Sequence, residues 1–180
     1  MPTIAVRPFA DGPIMGHDLL VGASSPYLAV DDSTDGSHDG DASYIRLPKI
    51  TTPEGIAAFE LFHGAGWPPA TNVRIGVAAK LDGALGQTLR IGLYSGSTVQ
   101  YGADLVLTGI YQHAVRDWSV SPFSGLAWTP AELIDIYGYV ENSIGLLGSS
   151  RLTLMYGIVT YSNRRYSRYS GRYREGPAVY

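Results

Sequence analysis

Apolar and polar positions alternate with a period of two over several long stretches of the chain. In NVRIGVAAKL, Val73, Ile75, Val77 and Ala79 fall on one side and Arg74, Gly76, Ala78 and Lys80 on the other, the pattern of a strand with one face in a core. The same alternation runs through Leu89, Ile91 and Leu93 in TLRIGLY, and through Leu152, Leu154, Tyr156 and Ile158 in RLTLMYGIVTY. Shorter apolar runs, YLAV, SYIRL, AAFELF, STVQY, DLVLTGI, RDWSV and IYGYV, add candidates, and Gly, Pro, Asp or Ser punctuates most of the gaps, for about nine or ten strands in all. No helical pattern of crossover length lies between them. The chain therefore reads as all-β, an antiparallel jelly-roll-like β-sandwich over residues 19–161.

One short helix interrupts the series at 129–135, in WTPAELIDI. Thr129 is placed to cap it, Pro130 suits the first helical position, and Glu132 completes a capping box. Trp128, just before the cap, is expected to pack as a hydrophobic staple.

Composition agrees with strands and turns. Hydrophobic residues make up 45% and charged residues 16%, with 22 glycines and 13 tyrosines. Cysteine is absent, which excludes disulfides, thiolate metal sites and a cysteine nucleophile. A domain of this size buries roughly 70% of its unfolded surface, enough for a core without such staples. The first residues, MPTIAVRPFADGPIMG, lack a basic region followed by an apolar run, and no stretch approaches the length of a spanning helix. Neither a signal peptide nor a membrane association is expected.

Charge divides the chain. Residues 162–180 hold five arginines against Glu175, a net of +4, which leaves −7 of the overall −3 on residues 1–161. The basic tail suggests a docking arm: Arg164, Arg165, Arg168 and Arg172 pair carboxylates, while Tyr166, Tyr169 and Tyr173 bury area at small entropic cost. Its acidic body makes nucleic acid an unfavoured partner. At the other end, residues 1–18 read as an extended arm, because Pro2, Pro8 and Pro13 disfavour regular ladders; Ile4, Val6 and Phe9 would anchor it in a shallow groove of the body or of a neighbour.

The order of a Trp-Thr helix start, a strand, a small-residue turn and a long last strand resembles the C-terminal half of a β-sandwich domain of tailed-bacteriophage virion proteins. Trp128, Thr129, Ala131, Glu132 and Leu133 carry the likeness, followed by Gly138 and Val140, and then by Ser149, Ser150, Arg151, Leu152, Thr153, Tyr156, Val159 and Tyr161. With the acidic turn DDSTDGSHDGDASYIRL it covers roughly residues 26–161. The resemblance implies a virion location, as a minor tail protein or a capsid-surface decoration protein. It also implies docking on capsid or tail subunits, a homo-oligomer within the particle, no shared catalytic motif, and a sandwich similar to carbohydrate-binding ones.

Chemistry-bearing residues are sparse. Asp35, Asp39 and Asp41 lie in one acidic loop with turn glycines, a set from which calcium loops are built, although the spacing is not that of an EF-hand. The alternative is a solvated turn whose short side chains bond their own backbone. His17, His38, His63 and His113 lack zinc-site spacing. No nucleophile elbow, Walker loop or dinucleotide fingerprint is present. Glu132 and Asp135 are one helical turn apart, as a carboxylate pair could be, but capping accounts for Glu132. Trp67, on the turn HGAGWPPATN, is either a core-edge ring or a ligand contact. The expectation is a non-enzymatic virion component without cofactor; the alternative is a glycan-binding attachment module that recognises a host-surface glycan.

Overall fold

The computed structural model describes residues 1–32, 37–48, 55–62, 66–83, 86–142 and 148–161. Among these residues, eleven strands form two antiparallel sheets. They are β1 (Thr3–Val6), β2 (Ala10–Met15), β3 (Leu19–Val21), β4 (Tyr44–Leu47), β5 (Ile56–Glu60), β6 (Ala70–Asp82), β7 (Thr88–Ser95), β8 (Thr98–Val106), β9 (Gln112–Trp118), β10 (Tyr137–Asn142) and β11 (Ser149–Tyr161). The first sheet runs β3-β4-β11-β6-β9, with β1 also paired to β11, and the second runs β2-β5-β10-β7-β8. Taken from β4 onward, the orders β4-β11-β6-β9 and β5-β10-β7-β8 are those of an eight-stranded jelly roll, with strands alternating between sheets except at the β7–β8 hairpin. The expected fold class holds.

The core lies between the sheets. Val73, Ile75, Val77 and Ala79 of β6 face Leu89, Ile91 and Leu93 of β7 and Val140 of β10 in one buried cluster, so the alternation in these strands points as the sequence suggests. In β11 it does not persist. Its register against β6 shifts between Leu152 and Leu154, and this bulge reverses the facing of every later residue. Leu152 is in the core and so are Met155 and Val159, whereas Leu154 and Tyr156 pack with Ala78 on the outer face of the first sheet.

The helix α1 (Pro130–Ile134) carries the complete capping box: the Thr129 hydroxyl accepts the Glu132 N–H at 3.2 Å, and the Glu132 carboxylate accepts the Thr129 N–H at 2.9 Å. Trp128 and Leu133, the staple positions, are both buried in the core cluster, and the indole N–H donates to the Trp118 carbonyl at 2.9 Å.

Three expectations are corrected. Residues 1–18 are not an arm outside the ladders: β1 pairs with β11 from Thr3 opposite Thr160 to Val6 opposite Gly157, and β2 pairs with β5. The prolines are accommodated. Pro2 precedes β1 and uses only its carbonyl, which accepts from Tyr161 N–H at 3.1 Å; Pro8 is buried where the chain crosses between sheets; Pro13 falls in the register irregularity between Asp11 and Met15. YLAV is a 3-10 turn over Tyr27–Ala29 rather than a strand, started by Pro26 at φ −56°. STVQY and the start of DLVLTGI form one strand, β8, and the residues from Leu107 leave the sheet. No described helix is long and apolar enough to cross a membrane.

Candidate functional site

Burying alternate residues of β7 and β10 leaves the others on the outer face of the second sheet. On β10 these are Tyr137, Tyr139 and Glu141, opposite Tyr94, Gly92 and Arg90 of β7; Gly92 is in turn opposite Tyr101 of β8, and Arg90 opposite Asp104. Four tyrosines thus share one face. Tyr94 stacks with Tyr139 at 6.4 Å between ring centroids and tilts against Tyr137 at 5.9 Å, while Tyr101 meets Tyr139 edge-on at 6.0 Å. Tyr101 and Tyr139 stand two strands apart, roughly 9–10 Å at the backbone, and their rings approach because Gly92 between them has no side chain.

Glu141 ends this row. It is only 5% exposed, and its Oε2 accepts hydrogen bonds from both Tyr101 and Tyr139, the latter at 3.1 Å. Its Oε1 takes no hydrogen bond from a described residue. The Arg90 guanidinium lies over the Tyr101 ring at 5.4 Å and 3.6 Å from the Asp104 carboxylate. Burial, then the bond to Glu141, pushes the Tyr101 phenol above its ordinary value, and burial followed by the Glu141 charge does the same to Tyr139. Both hydroxyls therefore remain donors at neutral pH. Tyr101 is 45% exposed and Tyr94 and Tyr137 are half-buried, whereas Tyr139 is 3% exposed, so the face offers the rings of the first three around a buried Tyr139 and Glu141, with the Arg90 guanidinium beside them.

The acidic loop is used differently. Arg46, Arg151 and Lys80 are neighbours in a row across β4, β11 and β6, an arrangement of like charges that destabilises a sheet unless neutralised. Asp18, Asp82 and Asp41 neutralise it: Asp18 bonds Arg46 at 2.8 Å, Asp82 bonds Arg151 at 2.8 Å, and Asp41 lies 2.6 Å from Lys80 and 3.0 Å from Arg151. Hydrogen bonds from Lys80, then Arg151 and Tyr111, lower the Asp41 pKa to about 2 despite some burial. Asp39 accepts from Ser43 N–H and hydroxyl and from the Thr153 hydroxyl, at 2.8–3.2 Å. Asp39 and Asp41 are thus occupied by protein donors. Asp35 lies outside the described residues, and among those described no group of three or more His, Cys, Asp or Glu could hold a metal ion.

The structure distributes the other candidates. Val6 packs against the core of its own chain, Ile4 pairs with Val159 in the β1–β11 ladder, and Phe9, 38% exposed, follows β1. Val6 and Ile4 thus anchor the segment in its own sheets. Trp67 packs edge-on against buried Phe62 at 5.7 Å between ring centroids and belongs to the rim of the core. Arg164, Arg165, Tyr166, Arg168, Tyr169, Arg172 and Tyr173 lie outside the described residues. Glu132 is engaged by the cap and by the Ser124 hydroxyl at 2.8 Å. The tyrosine face itself was not anticipated. Its signal is Tyr-x-Tyr-x-Glu at 137–141, hidden when tyrosine in IYGYV is counted simply as apolar.

No family model matches the chain, and no curated protein does. Among solved structures, it is similar to the C-terminal family 22 carbohydrate-binding module of Clostridium thermocellum Xyn10B, at 14% identity over 91% of this chain and 84% of that one, TM-score 0.49. A second, the N-terminal CBM22-1 and GH10 modules of the same organism's Xyn10B complexed with xylohexaose, is matched at 10% identity over 69% of this chain, TM-score 0.46; this chain spans only 23% of its length. A third is a cyclase from Fischerella sp. TAU, at 14% identity over 89% and 86% of the two chains, TM-score 0.42. At these levels the likenesses carry no argument about what this chain does.

Proposed function

We propose that the protein is a non-catalytic carbohydrate-binding module that takes a saccharide on the outer face of its second sheet. The observation that carries this is the continuous row of Tyr94, Tyr137, Tyr139 and Tyr101 ending in Glu141 and Arg90. A pyranose ring presents axial C–H groups and a rim of hydroxyls. Phenol rings meet the first by dispersion, and the Arg90 guanidinium and the phenol hydroxyls that the Glu141 carboxylate orients meet the second. Glu132, one of the carboxylate pair that sequence spacing suggested, serves the helix cap.

The test is retention on a panel of soluble polysaccharides, followed by titration calorimetry on those retained. Tyr101→Ala and Glu141→Gln should each weaken binding by roughly tenfold, about 1.4 kcal/mol, and a cooperative melt in each variant shows that the fold is retained. Retention of no saccharide, or full affinity in both variants, would sink the proposal.

A place in a tailed-phage particle, with docking through residues 162–180, is the second reading and rests on the sequence resemblance. The residues that carry that resemblance have structural work in this chain: Thr129 and Glu132 cap, Trp128, Leu133, Val140, Leu152 and Val159 fill the core, and the Ser150 hydroxyl bonds buried Asn142 at 2.7 Å. They support a shared sandwich more than a shared location. Co-purification with particles at fixed stoichiometry would establish the location.

A further inference from the structure

The opposite face of the sandwich carries an apolar strip that solvent does not reach. Ala78 and Leu154 are fully buried and Tyr156 is 8% exposed, although all three lie outside the core on the outer side of the first sheet. Residues 37–43 are tied down beside them. Asp39 accepts the Thr153 hydroxyl on β11, Asp41 bonds Lys80 on β6, Arg151 on β11 and Tyr111, and the Ser43 carbonyl accepts the Thr153 hydroxyl at 2.8 Å. The His38 ring rests against Tyr111 at 4.8 Å and against His113 at 5.2 Å, and His113 is the cross-strand neighbour of Ala78.

We propose that residues 37–43 form an acid-released strap, in which protonation of the facing His38 and His113 rings frees the segment from the sheet and uncovers the strip of Ala78, Leu154 and Tyr156. Two physical effects act together. Two imidazolium rings about 5 Å apart repel each other in a partly desolvated site, and Lys80 and Arg151 add charge of the same sign. His38 Nδ1 also accepts the Gly40 N–H at 3.1 Å; a protonated imidazole has no acceptor, so that turn contact is lost. The groups facing the pair are Asp32, Asp39 and Asp41, which oppose release, Lys80 and Arg151, which favour it, the phenols of Tyr44 and Tyr111, and Arg7, which donates to the carbonyls of Asp31 and Asp32 at 3.2 Å.

Desolvation of its ring, then the charge of His38, holds His113 below the ordinary value of 6.5, although the residue as a whole faces solvent. A depressed histidine pKa stabilises the closed strap above that ordinary value, and the contribution is lost as pH falls through the folded value. Asp41, ionised down to about 2, stays charged throughout. Asp32, whose carboxylate accepts the Asp39 N–H at 2.8 Å, is pushed above its ordinary value by burial, so the histidine variants serve to separate its protonation from theirs.

Hydrogen exchange of the full chain, corrected for intrinsic rates, tests this between about pH 7.5 and about pH 5, the range in which histidine titrates. The amides of Asp39, Gly40 and Ser43 should lose protection severalfold in acid while those of β7 and β10 hold, and an apolar dye should fluoresce more strongly. Both changes should vanish in His38→Asn, which keeps an acceptor for Gly40, and should be smaller in His113→Gln, which removes the ring–ring repulsion alone. Unchanged strap protection in acid, a loss that persists in both variants, or a loss that only tracks β7 and β10 would overturn the proposal. The strap and the tyrosine face are on opposite sheets, so saccharide affinity is not part of the readout.

Discussion

Gly92 decides the geometry of the tyrosine face. Its missing side chain lets Tyr101 and Tyr139 lean together, and a Cβ there would stand 2.9 Å from the Gln100 carbonyl oxygen of β8, backbone that cannot rotate away. Gly92→Ala should therefore push β8 outward and part the two rings. Overpacking of this kind costs about 1–3 kcal/mol, to be read by chemical denaturation, and saccharide affinity should fall with it. Retained affinity at reduced stability would show that ring spacing is immaterial to binding. At this scale the sequence was legible for the core and illegible for the site. Val73, Ile75 and Val77 announce themselves because their neighbours are polar, small or charged. Tyr137 and Tyr139 do not, because tyrosine suits either face of a strand, and only the outward Glu141 two residues on breaks the tie.

Among the elements, α1 was fully readable, since a capping box is a local rule satisfied by four residues. Its carboxylate makes a prediction about acid. Burial would raise the Glu132 pKa, but hydrogen bonds from the Thr129 N–H, the Ser124 and Ser121 hydroxyls and the Thr129 hydroxyl outweigh it and lower the value to about 2. A carboxylate depressed in the folded state stabilises above its ordinary value of 4.5, and loses that contribution as pH falls toward about 2. Stability measured by urea denaturation should fall over that interval in the native chain, and the fall should be smaller in Glu132→Gln. An equal fall in both would show that Glu132 contributes nothing. The β11 strand was half readable: its alternation is real on each side of the bulge, but no local residue type marks the shift between Leu152 and Leu154. β1 and β2 were unreadable because three prolines argued against ladders, and only the fold shows each proline placed where a ladder donor is dispensable.

For the whole molecule, these two N-terminal strands make the first residues part of the sandwich. Deleting residues 2–16 removes β1 from beside β11 and β2 from beside β5, along with the packing of Val6 and Met15 against the core. A fully buried side chain of this size is worth about 1.5–3 kcal/mol, and these two, partly buried, contribute a share of that beside the lost ladder bonds. The truncated chain should therefore melt below the full one in a thermal scan, and an unchanged midpoint would refute the assignment. The jelly-roll class was legible because many short strands without crossover helices admit few architectures; the sheet orders were not, since they depend on pairings between distant segments. One such pairing has a temporal side. β11 sits in the middle of the first sheet and pairs with β1, β4 and β6, every one of which is synthesised long before it. Until Tyr161 has been made, those three strands have no central partner, and each waits as an open edge. The closing contacts join the most remote parts of the chain, so refolding should take about milliseconds to seconds. A nascent chain halted before β11 should expose the unpaired strands to chaperones, whereas one extended through Tyr161 should not.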